Sequence, residues 1–477
     1  MKKYIIILTG LLLWSCQDYL LEEPKALAVS SYYNTPEEVK TGINSIYAGM
    51  ADGIYFYMFS TWMDSWSDVQ YGLGSFLKDY QEFNSTNLTR INGWWSKFYL
   101  TIRDANIVLE NIPNASECTD QEKAAFTAEA KFLRALSYFH LVRNWGGVII
   151  RTEENYKEVD VIRSSEADVW KLILSDLKYA EENLPDETTE AGRPSKWAAK
   201  SVMADVYFYQ GLNQEASEKA REVINSGQYS LVQVNTWEDF ISNLYGSNVI
   251  NSSEEIFYFK YTDEGTSNQS IFFILLNSVG SGYSGGRGNA ALRIESTSNF
   301  YNEWDDEDIR KELLYPLSSS STVLLSRKFI DPDIVPGSFS GIDFPLYRYA
   351  DVLLLYAEAS CRANNGPTEE GLEALNMVHR RAYGKVPTEA SDIDFKLDDY
   401  DYDSFNSLVL NERSYETLTE GKRWMDLKRL GYEKLNKMVY ASKGITVNEN
   451  LLLWPIPTTE FGYNNALDPD TDQNPGY

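Results

Sequence analysis

Between Asn411 and Gly431 the chain reads NERSYETLTEGKRWMDLKRLG. Glu412, Glu416 and Glu420 recur every four residues, so on a helix they form one line that must be solvated or matched by cations. Arg413 lies among them, and Lys422, Arg423, Lys428 and Arg429 follow on the C-terminal side, where positive charge also offsets the helix dipole. Gly421 reads as the end of one helix, and Trp424, Leu427 and Leu430 as the apolar stripe of the next. A carboxylate-bridged metal site would pair such glutamates with a nearby histidine, and none stands there. The line is therefore read as a salt-bridged helix facing Arg413 and Arg423.

Helical periods recur along the chain. Thr35 is a plausible N-cap with Pro36 at the first helical position, and a helix follows to Met50. The segment WWSKFYLTIRDANIVLENI places Trp95, Tyr99, Ile102 and Ile107 near one face until Pro113 stops it. Further helices are expected from Ala124 to Trp145, ended by Gly146-Gly147, and from Ala167 to Leu184, ended by Pro185. From Ala198 to Gly227, Met203, Ala204, Tyr207 and Ala216 keep the offsets of a tetratricopeptide unit, in which small residues let two antiparallel helices approach around an aromatic. A weaker copy runs through Ala357 and Ala359, breaks at Asn364 to Pro367, and resumes with Leu372, Leu375 and Val378. The two copies are far apart in sequence, so they would stack only after the chain returns.

Two stretches lack the helical period. Residues 52–94 read as an aromatic loop, and between Gln228 and Tyr347 Gly, Ser, Asn and aromatics dominate, with Glu255 onward a short strand candidate. Pro387 to Asp403 is an acidic, solvated connection.

Four blocks in order carry a family resemblance: FLRALSYFHLVRNWGGV from Phe132, YRYADVLLLYAEA from Tyr347, the ER…E…EG-RW-DLKR-G segment, and LLLWPIP from Leu451 with DQNPGY ending at Tyr477. Together they resemble the SusD/RagB family of surface nutrient-binding lipoproteins. The resemblance implies a mainly α fold in which tetratricopeptide-like helix pairs scaffold an irregular, loop-rich subdomain. It divides the chain into a signal peptide at 1–15, an N-terminal region at 16–230 and a C-terminal region at 231–477, loop-rich over 231–346 and helical over 347–477. It further implies a SusC-like TonB-dependent outer-membrane transporter as partner, with this protein as its lid.

The N-terminus fits an exported lipoprotein. Lys2 and Lys3 precede an apolar run from Ile5 to Leu13, too short to span a bilayer, and Ser15-Cys16 resembles a lipobox whose cysteine is lipidated. Cys16 is thus the expected lipid anchor, facing the cell exterior on the outer membrane. The remaining pair, Cys118 and Cys361, reads as two buried thiols and not as a disulfide framework. With 70 acidic against 43 basic residues the net charge is -27, which repels phosphate backbones and excludes nucleic acid as partner.

Catalytic parts are scarce. His140 and His379, both in expected helices, read as packed or surface side chains, and no H-E-x-x-H, Walker A, G-x-S-x-G or C-x-x-C pattern occurs. Asp399, Asp401 and Asp403 have EF-hand spacing without its Gly or Glu, and Asp468, Asp470 and Asp472 repeat the spacing alone, so structural calcium stays open and no other cofactor is expected. The stronger signal is aromatic, because sugar rings pack C–H faces on indole and phenol rings while polar side chains hold the hydroxyls. Asp64, Trp66 and Tyr71 in the first loop, and Tyr283, Arg287, Asn289 and Trp304 in the second, are the expected glycan contacts. Binding of oligo- or polysaccharide without catalysis is the expected function; peptide or other nutrient binding of the RagB type and surface glycoside hydrolysis are the alternatives.

Overall fold

The computed structural model describes residues 32–72, 83–263, 276–283, 285–286 and 288–477. The architecture is mainly α, as expected. The N-terminal part includes the helices α1 (Pro36–Met50), α2 (Gly53–Ser65), α3 (Ser85–Asn111), α4 (Asp120–Trp145), α5 (Glu166–Asn183), α6 (Lys196–Tyr209) and α7 (Asn213–Asn225). Thr35 caps α1 in a reciprocal box with Glu38, and Thr119 does the same for α4 with Glu122, satisfying N–H groups that no helical carbonyl can reach.

Residues 53–65 correct the expectation of a loop. Phe56, Tyr57, Phe59, Trp62 and Met63 are all buried, so α2 is apolar around most of its circumference and shows no amphipathic period. α3 likewise starts earlier than Trp94, at Ser85, because Asn84 caps it.

A short ladder pairs β2 (Glu255–Phe259) with β6 (Phe344–Arg348), and a four-stranded antiparallel sheet has the order β1 (Tyr71–Gly72), β3 (Leu292–Glu295), β5 (Val323–Ser326), β4 (Leu314–Pro316). The chain then returns to helices: α8 (Tyr349–Asn364), α9 (Glu369–Ala382), α10 (Tyr402–Glu416), α11 (Arg423–Lys428) and α12 (Tyr432–Lys443). α8 packs on α7 and α6, so the two tetratricopeptide-like pairs do stack across the sequence gap. Asn365, at φ 53, supplies the left-handed residue that ends α8.

The glutamate line of the opening segment is buried. Its partners are not Arg413 and Arg423, which sit on other faces of their helices and pair with Asp426 and Asp68. Glu416 Oε1 instead meets Arg348 at 2.8 Å and Arg381 at 2.6 Å, and its Oε2 meets Arg310 at 3.1 Å. Glu412 pairs with Arg310, and Glu420 with Arg348, Lys328 and Lys422. Arg348, Arg381 and Glu254 are wholly buried, so each charge here depends on the others for what water would have supplied. Burial opposes ionisation of Glu416, but Arg381, Arg348 and Arg310 outweigh it and hold its carboxyl well below the usual range.

Candidate carbohydrate-binding face

The structure separates the expected contacts into two groups. Trp66 is 0% exposed: its ring stacks on Phe83 at 5.7 Å and meets Trp424 edge-on at 5.3 Å. Asp64 is also buried and accepts the Gly421 N–H at 2.9 Å. Trp304 stacks on Tyr415 at 4.5 Å and donates to Asp308 Oδ2 at 2.8 Å. Enclosed on all sides, these three side chains offer no face to a sugar and are corrected to core residues. The stretch that carries Asp64 and Trp66 is clasped by α11 and α12. Arg423 holds Asp68 through two 2.8 Å bonds, and Ser442 and Lys443 bond to backbone carbonyls of residues 65–70. Alternation of aromatic and acidic residues in the sequence reads the same whether it faces solvent or this clasp.

Tyr71, Tyr283 and Asn289 are at least partly exposed. Arg287 and Cys16 lie outside the described residues.

Strand register brings the two loop regions together. Tyr71 pairs with Arg293, Glu295 with Val323, and Tyr315 with Leu325, all antiparallel. Paired residues share a face and so do residues two apart on one strand, so Tyr71, Arg293, Glu295, Val323, Leu325 and Tyr315 lie on one side of the four-stranded sheet. Ile294, Leu314 and Leu324 lie on the other, packed with Val69, Trp304 and Leu418. Tyr71 and Tyr315 stand on opposite edge strands, roughly 14 Å apart at the usual strand spacing.

Loop 276–290 joins this face at the Tyr315 edge. Tyr283 meets the Tyr315 ring edge-on at 6.3 Å, Tyr315 donates to Asn277 Oδ1 at 2.6 Å, and the exposed Asn289 bridges to Ser278. Beyond Tyr315, the Arg327 guanidinium lies 5.1 Å from its ring and 4.4 Å from the Trp237 ring. Arg327 Nε is buried without a hydrogen-bond partner. At the opposite edge the Lys443 ammonium lies 4.6 Å from the Tyr71 ring. Arg293, Tyr315 and Arg327 lie in or beside short strands and Trp237 opens a four-residue helix, all without repeat or motif, so the sequence reading missed them.

The arrangement offers half-buried rings separated by guanidinium and amide groups, the combination that packs sugar faces and hydrogen-bonds hydroxyls. His140 and His379 are both buried, in α4 and α9, and among the described residues no group of three or more His, Cys, Asp or Glu side chains converges as a metal site. Asp401 and Asp468 act as N-caps of helices, and Cys118 and Cys361 are free, buried thiols. Among the described residues no helix is long and apolar enough to cross a membrane.

Comparison with known proteins agrees with this architecture. A family model described as "Starch-binding associating with outer membrane" matches residues 18–208, and the SusD family model matches residues 253–477. The chain belongs to the SusD/RagB family. It is 28% identical to SusD-like protein P2 of Formosa agariphila over the full length of both chains. A SusD homolog from Bacteroides thetaiotaomicron superposes with a TM-score of 0.78 at 24% identity, covering 94% of this chain and 98% of the other. A laminarin-binding SusD-like protein superposes with a TM-score of 0.72 at 23% identity, covering 93% of this chain and 100% of the other.

Proposed function

We propose that this protein is a cell-surface glycan-binding lipoprotein, anchored in the outer membrane through Cys16, that captures an oligo- or polysaccharide and passes it uncleaved to a SusC-like TonB-dependent transporter. The observation that carries this reading is the shared face of Tyr71, Arg293 and Tyr315, extended by Tyr283, Asn289, Arg327 and Trp237. Family membership, and a structural neighbour that binds laminarin, support a carbohydrate as the ligand. Rings at the two edges of the sheet would hold separate sugars of one glycan, while Arg293, Arg327 and Asn289 fix hydroxyl directions. In this reading the glycan is released to the transporter intact.

Calorimetric titration with laminarin, starch and other polysaccharides tests the reading. Tyr71→Ala and Tyr315→Ala should each weaken binding about tenfold, close to 1.4 kcal/mol, with the thermal midpoint little changed. Equal affinity in both variants would contradict it, and release of new reducing ends would favour hydrolysis. Binding of peptides in place of every glycan would move the ligand to the RagB type.

A further inference from the structure

Acidic residues outnumber basic ones in this chain by 70 to 43, so a cation has carboxylates in plenty to pair with. Arg310, Arg348, Arg381, Arg413 and Arg423 each take a buried one. Arg293 and Arg327, both half-buried on the sheet face, form no ion pair among the described residues.

What they do contact leaves their charge uncancelled. Arg293 Nε donates to the Ala290 carbonyl at 3.0 Å. The Arg327 guanidinium is held against the Trp237 and Tyr315 rings, whose quadrupoles attract a cation but carry no net charge. Arg327 Nε is buried, whereas the terminal nitrogens of both side chains make no hydrogen bond among the described residues and reach solvent.

Register brings the two together. Extending the Ile294–Leu324 pairing by one position sets Arg293 opposite Leu325, and the Arg327 N–H, donating to the Leu313 carbonyl at 2.8 Å, continues the ladder two positions further along. Their Cα atoms are therefore roughly 8 Å apart on one side of the sheet. Glu295 shares this side, but it stands opposite Val323, four positions or roughly 13 Å back from Arg327, and accepts the Thr322 hydroxyl at 3.1 Å. Salt at about 0.15 M screens exposed charges beyond about 8 Å, so the guanidinium pair, and not the net charge of -27, decides what approaches this spot.

We propose that the glycan captured on this face is anionic, with uronate carboxylates or sulfate groups engaged by Arg293 and Arg327. The proposal rests on the glycan-capture reading and narrows its ligand class. A guanidinium presents paired N–H donors in one plane, and a carboxylate or sulfate presents two oxygens at matching separation, so each contact is charge-assisted and bidentate. A neutral sugar would meet the same rings but offer the guanidinium groups only hydroxyls.

Calorimetric titration of the full chain in detergent micelles with matched glycans tests this. The probes are polygalacturonate and alginate, each against its esterified form, and a sulfated galactan and a sulfated glycosaminoglycan, each against its desulfated form, with laminarin as a neutral reference. At least one charged member should bind about tenfold more tightly than its neutral counterpart in about 50 mM salt, with the margin narrowing in about 300 mM. Whether an ester pair or a sulfate pair shows the margin identifies the anion. Arg293→Gln and Arg327→Gln keep an N–H donor without the charge, and each should remove most of the margin while changing affinity for the neutral member less. Arg327→Lys keeps the charge without the fork; should Arg327→Gln not fold, Arg293→Gln and a reduced margin in Arg327→Lys decide the matter. Equal affinity for charged and neutral members, binding of laminarin alone, or a margin that survives in both Gln variants would overturn the proposal and leave glycan capture standing. Binding of no polysaccharide would remove both.

Discussion

The Gly421 N–H donates to Asp64 Oδ2 at 2.9 Å, joining residues 357 positions apart. Gly421 has φ 71, and a Cβ there would lie 2.7 Å from the Cβ and 2.8 Å from the Cα of Ser60. Gly421→Ala combines left-handed strain with overpacking and should cost roughly 2–4 kcal/mol. Urea unfolding followed by circular dichroism checks this; an unchanged midpoint would mean that α2 and the 417–421 turn are not held in contact.

The Asp64 carboxyl is harder to ionise than a free one. Burial, with the Glu420 charge adding to it, holds its carboxyl well above the usual 3.8, although the Gly421 N–H works the other way. A raised folded pKa contributes stability that is complete below the ordinary value and is lost as pH rises through the folded one. Asp64→Asn keeps an acceptor for Gly421 and removes this loss, so it should match or exceed the parent in stability at pH 7–8. Asp64→Ala orphans the N–H and should cost about 1–3 kcal/mol. Unfolding midpoints of the three proteins between pH 4 and 8 distinguish the cases.

Glu416 has the opposite sign. Its carboxyl is held well below its ordinary 4.5, so its contribution is present above that value and is lost as pH falls toward the depressed one. Glu416→Gln leaves Arg348 and Arg381 buried beside a neutral amide and should cost roughly 3–5 kcal/mol at pH 7. Guanidinium unfolding across pH 3–7 should show the parent losing stability with acid and the variant much less so.

Much of this was legible in the sequence, for identifiable reasons. α1 declares itself through its Thr35 cap and α5 through its amphipathic period up to Pro185, whereas α4 begins at Asp120, four residues before the expected Ala124, because Thr119 caps it. The tetratricopeptide offsets at Ala204 and Ala216 likewise survive into packed helices. α2 did not declare itself, since a helix buried on most sides has no period to read. The partners of Glu416 come from residues 310, 348 and 381, and spacing within one segment cannot reveal contacts that only the return of the chain creates. Trp66 and Trp304 illustrate the same limit at the binding face: composition identifies aromatic–polar mixtures, but the register of β1, β3, β5 and β4 decides which rings face outward.

The two classes of aromatic should separate under mutation. Trp304→Leu removes the stack on Tyr415 and the bond to Asp308, and should lower stability by about 1–3 kcal/mol while leaving the affinity of the folded protein for glycan unchanged. Tyr283→Ala and Arg327→Ala should do the reverse, weakening glycan binding roughly tenfold with little change in unfolding midpoint. Thermal midpoints and binding isotherms measured on the same preparations check both halves.

Native affinity electrophoresis against a panel of plant and host polysaccharides tests glycan capture most directly. Retardation by at least one polysaccharide, diminished in Tyr71→Ala and Tyr315→Ala and accompanied by no released sugar on long incubation, is the predicted result. Migration unaffected by every polysaccharide, or retardation equally strong in both variants, would contradict the assignment of this face.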